Sequence, residues 1–378
     1  MRTPKVLMLH RDLSLQGGVP RVFLTFARHY DHRVSQLHVG SFQPIAPEMS
    51  EAFAQTGTTL HELGDTGYMK PALALHKIIK EHSIDMVVAT SLKAYLVAKL
   101  ASNPACRVLF WIHAIPLVIS GPMKVAAFRW AARHDTLIFI AKTVQRVHGY
   151  PGHKGREVIV LNGVDDSLPT APLYDHSQRE ALGIPRSAFV VGYTAEFIAW
   201  KQHKMLLAAF SQLAKDLPDL HLVFIGTGEL WESTQAQARA IPGAERIHFL
   251  GPRPDAKRLL GIMDVYAQPS NGEGISIAVI EAMLAQRAIV VSDAGALPEI
   301  IDNGSTGLMF RVEDVADLAG KIVALAQDPE MRRSLGERAR QVALTRFSPK
   351  NFTERLTEVL EGELPASRAA SAAGNGSL

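Results

Sequence analysis

Short runs of consecutive apolar residues, each too brief for a helix and many followed by a helical pattern, recur along almost the whole chain. Val6–Leu9, Met86–Ala89, Val108–Ile112, Thr136–Ile140 and Val158–Leu161 are of this kind, Gln36–Val39 gives a similar strand signal, and helical stretches at Arg21–His29, Pro71–Glu81 and Ala94–Ala101 lie among them. A strand that is apolar along its length must be covered on both faces, as in a parallel sheet flanked by helices. The alternation restarts at Val190–Tyr193. It continues through a helix over 202–215, strands at His221–Ile225, Ile247–Leu250 and Val265–Gln268, a helix over 277–285 and a strand at Ala288–Ser292. Between the two series lies Asp166–His176, whose Pro169 and Pro172 mark a linker. A chain of 378 residues is long enough for two cores. The expected architecture is therefore α/β: two doubly wound, Rossmann-like domains over residues 1–168 and 177–345, facing each other across a cleft, with ligands at the carboxyl ends of the strands. Residues 346–365 are expected to form a C-terminal helix returning to the first domain. The Ala/Ser/Gly-rich residues 366–378 are expected to be a disordered tail.

Composition narrows the classes. One cysteine, Cys106, leaves no disulfide framework and no cysteine-based zinc site. His10-Arg11-Asp12 interrupts the first apolar run far short of a signal-peptide core, and no stretch approaches the roughly 18 apolar residues of a membrane span. A cytoplasmic protein is expected, with any membrane contact peripheral. The net charge of +3 is unevenly spread: residues 1–165 hold 19 Lys+Arg against 11 Asp+Glu, or +8, which leaves −5 for the remainder. Within 107–156 the only acid is Asp135. Such a basic surface suits phosphate-bearing acceptors or anionic lipid, or is an ordinary solvated helix face. Nucleic acid is not expected, because stacking aromatics do not interleave with the basic residues.

The stretch from Gln268 to Glu281 carries the most chemistry. A strand ends at Gln268, a loop with Pro269, Gly272 and Gly274 follows, and a helix begins after Ser276, an acceptable N-cap. The free backbone N–H groups of Gly274, Ile275 and Ser276 at a helix N-terminus form a site for a diphosphate. Of the two carboxylates, Glu273 before the helix and Glu281 inside it, one can accept from sugar hydroxyls and the other from a ribose diol. His113 ends the strand Val108–Ile112, where a polar side chain in a doubly wound sheet faces the ligand side.

In this order Glu273-Gly-x6-Glu281-Ala-Met, Asp293-Ala-Gly-Ala-Leu-Pro-Glu299, Asn303-Gly and Gly307-Leu resemble the nucleotide-sugar half of the retaining glycosyltransferase family 4, with the GT-B fold. Gly17-Gly18-Val-Pro-Arg21 is similar to that family's Gly-Gly-x-x-Arg loop, which reads here as a turn. Asn162-Gly163-Val164-Asp165 is similar to the segment closing its first domain, and Ile225-Gly226-Thr-Gly228 to a strand end beside the base pocket. The resemblance implies that Glu281 holds the ribose and Glu273 the donor sugar, with phosphate and sugar oxygens on the amides of Gly274, Ile275 and Ser276. It also implies Lys201 on the diphosphate, Gly18, Arg21 and Gly226 around the donor, and His113 near the transferred sugar. Where the family has an arginine five residues before the lysine, this chain has Glu196, which removes one cation from the phosphate clamp.

The implied activity is that of a retaining, hexosyltransferase-type enzyme. Its donor would be a UDP- or GDP-sugar and its acceptor a glycan or lipid-linked glycan, in cell-surface polysaccharide or glycolipid synthesis. No metal or other cofactor is expected, since no Asp-x-Asp and no metal-spaced cluster is visible. A peripheral contact with an anionic membrane is a further expectation, through the apolar and basic residues of 114–134. The rivals are a sugar-nucleotide epimerase of the same fold and a non-catalytic nucleotide-sugar-binding protein. A nicotinamide-dependent dehydrogenase is disfavoured, because the first strand is not followed by Gly-x-Gly-x-x-Gly.

Overall fold

In the computed structural model the chain divides into two units, Met1–Gly163 with Pro349–Leu378, and Val164–Ser348. The structure describes residues 5–14, 17–31, 36–113, 122–165 and 175–363. The expected linker thus lies largely, and the expected disordered tail wholly, outside the described residues.

The first unit runs β1 (Lys5–His10), α1 (Gly18–His29), β2 (Gln36–Ser41), α2 (Pro47–Ala54), β3 (Thr59–Glu62), α3 (Met69–His82), β4 (Met86–Ala89) and α4 (Leu92–Ala101). It continues with β5 (Arg107–Ile112), α5 (Pro122–Ala131), β6 (Leu137–Phe139), α6 (Lys142–His148) and β7 (Glu157–Ile159). Its sheet is parallel, in the order β3-β2-β1-β4-β5-β6-β7. The chain winds outward from β1 in one direction and then from β4 in the other, so the order reverses between β1 and β4. At such a reversal the loops leaving two neighbouring strands part to opposite faces and leave a crevice.

The second unit repeats the plan with α7 (His176–Ala181), β8 (Phe189–Thr194), α8 (His203–Leu213), β9 (Leu220–Ile225), α9 (Trp231–Arg239), β10 (Ile247–Phe249) and α10 (Ala256–Leu259). β11 (Val265–Gln268), α11 (Ile277–Leu284), β12 (Ala288–Ser292), β13 (Leu308–Phe310), α12 (Val315–Gln327) and α13 (Pro329–Arg346) follow. The strand order is β10-β9-β8-β11-β12-β13, again parallel, with the reversal between β8 and β11. The central strands β4, β9, β11 and β12 are buried at every residue, as their apolar runs require.

The last helix, α14 (Pro349–Gly362), belongs to the first unit. Phe352 lies against Phe26 and Trp111, ring centroids 5.9 Å from each. Burying a ring of this size stabilises by about 1.5–3 kcal/mol. Just past the helix, the Glu363 carboxylate accepts from Arg107 at 2.9 Å and Thr136 at 2.7 Å, which fixes the chain end to β5 and the start of β6. Gly163 makes the approach possible: a Cβ there would lie 2.6 Å from that of Phe352.

Some local expectations need correction. The turn expected at Gly17-Gly18 ends at Gly17, whose N–H donates to Ser14 O at 3.2 Å, and Gly18 is already the first residue of α1. Pro20, with φ preset near the helical value, favours that early start. The run Val158–Leu161 is β7 only over Glu157–Ile159, where its three residues pair with β6. The sheet-edge strands β3 and β13 lack long apolar runs because one side is unpaired, and α13 is too polar around its circumference to show a periodic stripe.

Candidate functional site

Two loops meet at the strand reversal of the second unit. The first leaves β8, carries Ala195–Ile198 and ends in a short 3-10 turn, Ala199–Lys201. Gln202 then takes a left-handed conformation, φ 53°, and α8 starts at His203. The second loop leaves β11 and runs through Glu273 to the N-cap of α11. They are stitched together: Asn271 N donates to Trp200 O at 2.9 Å, and the Tyr193 hydroxyl bonds Lys201 O at 3.1 Å and Ser270 Oγ at 3.0 Å.

Lys201 and Glu273, 72 residues apart in sequence, thereby form an ion pair, Nζ to Oε1 2.5 Å. Glu273 is buried, and the same oxygen accepts from Gln268 Nε2 at 3.0 Å. Oε2 has no protein donor among the described residues. Gly295 packs against the backbone of Glu273 with a φ of +61°, so close that a Cβ would lie 2.4 Å from Glu273 O and 2.5 Å from its N. Ala296 N closes the contact by donating to Glu273 O at 2.9 Å.

Ser276 is the N-cap of α11, its hydroxyl accepting from Val279 N. The amides of Gly274, Ile275 and Ser276 donate to no acceptor among the described residues, so an N–H cluster and the positive end of the helix dipole lie next to Glu273 in the chain. Glu281 is buried inside the same helix and makes a separate pair with Lys257 Nζ at 3.4 Å. Lys257 sits on α10, and nothing in its local sequence marks it out; only the fold brings it to Glu281.

Glu196 is exposed and has no ion-pair partner among the described residues. Its neighbour Phe197 is buried against His203, ring centroids 3.8 Å apart, and against Trp231. Burial, with Lys201 adding repulsion, holds His203 down at about 3, so its ring is neutral and serves as an aromatic face. Gly226 has a packing role: with φ at 133°, a Cβ would lie 2.0 Å from Ala195 O, so only glycine lets the loops after β8 and β9 close on each other.

In the first unit, His113 lies just past β5, its ring 4.3 Å from that of Trp111, and its buried Nε2 has no hydrogen-bond partner among the described residues. Burial, and His10 nearby, hold its pKa well below the usual histidine value. His10 ends β1 and bonds Thr90 Oγ1 through Nδ1 at 2.7 Å, while the Thr90 hydroxyl donates to Leu9 O at 3.1 Å. Thr90 has one proton, so Nδ1 of His10 is the donor and Nε2 carries the lone pair. The signal for His10, a polar residue ending an apolar strand, is the same as for His113. Gly18 and Arg21 stand in the first turn of α1. Of the expected acceptor surface, residues 114–121 and the side chain of Met123 lie outside the described residues. Phe128 is buried and Trp130 is 81% exposed, between the exposed Arg129 and Arg133.

Residues 175–342 match the model of a family described as glycosyl transferases group 1. EpsD of Bacillus subtilis, a glycosyltransferase by name, is 28% identical over 303 residues, 75% of this chain and 78% of that protein. A phosphatidyl-myo-inositol mannosyltransferase of Mycolicibacterium smegmatis is 31% identical over 48% of this chain and 46% of its own length, so the match spans about half of that relative. Among solved structures, Anabaena Alr3699/HepE in complex with UDP and glucose superposes with a TM-score of 0.82 at 22% identity, over 96% of this chain and 100% of that one. Sucrose-phosphate synthase from Thermosynechococcus elongatus gives 0.80 at 16% identity, over 96% and 99%. The fold is GT-B, and the family match and relatives support a glycosyltransferase.

Proposed function

We propose that the chain is a retaining glycosyltransferase that moves a sugar from a UDP- or GDP-sugar to a glycan or lipid-linked glycan acceptor, in cell-surface polysaccharide or glycolipid synthesis. The observation that carries this reading is the Lys201–Glu273 pair at the β8/β11 reversal, with the bare amides of 274–276 beside it in the chain. A nucleotide sugar needs an anion site for its diphosphate and a hydrogen-bond acceptor for its sugar hydroxyls, and these elements offer both. HepE, of the same fold, was solved with UDP and glucose, which supports a uridine nucleotide as the first donor to try.

In this reading the diphosphate lies on the amides of Gly274, Ile275 and Ser276 and on Lys201, and Oε2 of Glu273 holds a sugar hydroxyl. Glu281 accepts from the ribose diol, with Lys257 Nζ 3.4 Å from its carboxylate. Because Lys201 is already neutralised by Glu273, and Glu196 supplies no cation, the α11 amides bear more of the leaving-group charge. The C1–O bond to phosphate breaks while the acceptor oxygen bonds C1 on the same face, and the acceptor proton passes to the departing phosphate oxygen. Both bond changes occur on one face, so the anomeric configuration is retained. Gly226 shapes the base pocket, and Gly18, Arg21 and the neutral His113 are the groups that the first unit offers to a ligand. The basic helices α5 and α6, with exposed Trp130, Arg133, Lys142 and Arg146, take a polyanionic or membrane-borne acceptor.

A panel of UDP- and GDP-sugars screened by thermal shift, then incubated with lipid-linked acceptors and followed by NMR, tests this. A glycoside of retained configuration is expected. Isomerised donor formed without acceptor would identify an epimerase, donor binding without any product a non-catalytic protein, and an inverted product would remove the retaining assignment.

A further inference from the structure

We propose that Gln268 is a positioning residue that fixes which oxygen of Glu273 is offered to the donor sugar; this rests on the reading of Glu273 as the sugar-binding carboxylate. Gln268 is the last residue of β11 and only 1% exposed. Burying a primary amide is costly unless its polar atoms are bonded, and an apolar side chain would fill the same space at a strand end without that cost. Here both ends of the amide are used. A carboxylate only accepts, so Nε2 faces Glu273 Oε1, at 3.0 Å. Oε1 then accepts from the Ser276 hydroxyl at 3.0 Å, while the Tyr266 hydroxyl, 3.4 Å away, has its one proton on Thr194 O at 3.2 Å. Ser276 Oγ in turn accepts from Val279 N at 3.4 Å.

The donors therefore point one way along the whole chain of bonds: from the first turn of α11 to Ser276, from Ser276 to Gln268, and from Gln268 to Glu273. The helix end that receives the diphosphate and the carboxylate that receives the sugar are held in one register. Lys201 and Gln268 together occupy Oε1 of Glu273, which leaves Oε2 as the oxygen turned to a ligand. Lys201 alone is a flexible ammonium that bonds equally well to either oxygen, whereas the buried amide has one orientation. The ammonium holds the charge, and Gln268 sets the rotation.

The test compares UDP with UDP-glucose, and GDP with GDP-mannose, by calorimetry on the full chain and on two variants. Gln268→Leu keeps the volume and removes the amide. It should weaken the nucleotide sugar about tenfold while changing the nucleoside diphosphate by less than about twofold, since one charge-assisted hydrogen bond is misaligned and the phosphate site is untouched. Gln268→Glu keeps the shape but sets a second carboxyl against Glu273. Two carboxyls at about 3 Å share a proton, so nucleotide-sugar binding should match the wild type near pH 5.5 and fall as the shared proton is lost toward pH 8. Equal weakening of diphosphate and sugar nucleotide in the Leu variant, no weakening of either, or a Glu variant with the pH profile of the wild type would each overturn the positioning role. A wild-type chain that binds neither pair overturns the reading of Glu273 and this inference with it.

Discussion

The two units share a winding order and differ in what they place at the reversal. Between β1 and β4 the first unit offers His10 and Thr90, with His113 one strand further on. The histidines are neutral, His10 held at about 4 chiefly by burial and His113 well below its usual value. Between β8 and β11 the second unit offers a part-buried lysine paired with a buried glutamate and a glycine-lined loop entering a helix. The sheets are alike because each needs the same two-faced cover of helices. The chemistry differs because it resides in the few residues after each strand, which the sheet does not constrain. A charged, amide-lined end suits a diphosphate, and a neutral one suits hydroxyls.

The sharpest way to break this comparison is through glycine. Gly295 and Gly64 both have left-handed backbone, φ 61° and 78°, but a Cβ at Gly295 meets the backbone of Glu273 while one at Gly64 meets nothing within 4 Å. Gly295→Ala should lower nucleotide-sugar affinity at least about a hundredfold and cost about 2–4 kcal/mol of stability, because strain and a clash fall on the same residue. Gly64→Ala, in the first unit, should cost about 1–2 kcal/mol and leave binding unchanged. Denaturant unfolding and calorimetry on both variants decide it; a Gly295→Ala variant no worse than Gly64→Ala would mean that the Glu273 loop is not held as tightly as the geometry implies.

The same residues show what was legible beforehand. The strands β4, β8, β11 and β12 are plain in the sequence because burial on both faces leaves an unbroken apolar run, and Ser276 announces the start of α11 by its residue type. Glu273 and Glu281 stand out by their loop and helix context. Their partners do not. Lys257 reaches Glu281, 24 residues on, only through the fold, and Gln268 reads in the sequence as one more strand residue. Gly295 lies in a segment notable for its resemblance, but its reason, the backbone of a residue 22 positions earlier, is a long-range contact with no local signature. Gly226 is the reverse case: its motif suggests a ligand, and the structure gives it a packing reason.

Acid sharpens the comparison next. Each unit carries a diagonal histidine pair on its second and third strands, His38 with His61 and His221 with His248, ring nitrogens 3.0 and 2.9 Å apart. Burial holds His38 and His61 at about 4, with His82 adding repulsion on both and Lys5 on His38. Burial, His248, Arg246 and Arg179 hold His221 at about 4 as well, but Asp219 works against them. An unfolded histidine takes its proton near pH 6.5 and these folded ones near 4. The stability they protect is therefore whole above about pH 6.5 and drains as the pH falls toward 4. Both members of the first pair are held at about 4, whereas in the second pair His221 alone is held there and burial only lowers His248, so the stability of the first unit should fall more steeply. Urea unfolding at pH 7.5, 6.0 and 5.0 can follow each unit by tryptophan fluorescence, using variants that keep only Trp111 and Trp130 or only Trp200 and Trp231. His61→Leu should flatten the slope of the first unit by at most about 1.4 kcal/mol per pH unit. Equal slopes in the two units would remove the difference drawn between the two histidine pairs.

The smallest effect concerns backbone alone. Ser83 follows α3 and Gln286 follows α11, each in left-handed backbone, φ 55° and 61°, just before a central strand of its own sheet. Helices commonly end on a glycine at this place because a Cβ is unfavourable there. After α3 the turn is closed by Ile84 N donating to Ile79 O at 2.9 Å, and after α11 by Gln286 N donating to Met283 O at 2.9 Å, bonds between backbone groups that a glycine keeps. Ser83→Gly and Gln286→Gly should each stabilise by about 0.5–1 kcal/mol, the relief of left-handed strain less the extra freedom of an unfolded glycine. Hydrogen exchange locates the gain: α3 and β4 amides should slow in the first variant, α11 and β12 amides in the second. Because Gln286 lies beyond Glu281 on the far side of α11 from the N-cap, nucleotide-sugar affinity should not change. If Gln286→Gly does weaken the nucleotide sugar, the register of α11 depends on its C-terminal end as well as on Ser276, and the chain of donors that ends on Glu273 would have to be extended through the whole helix.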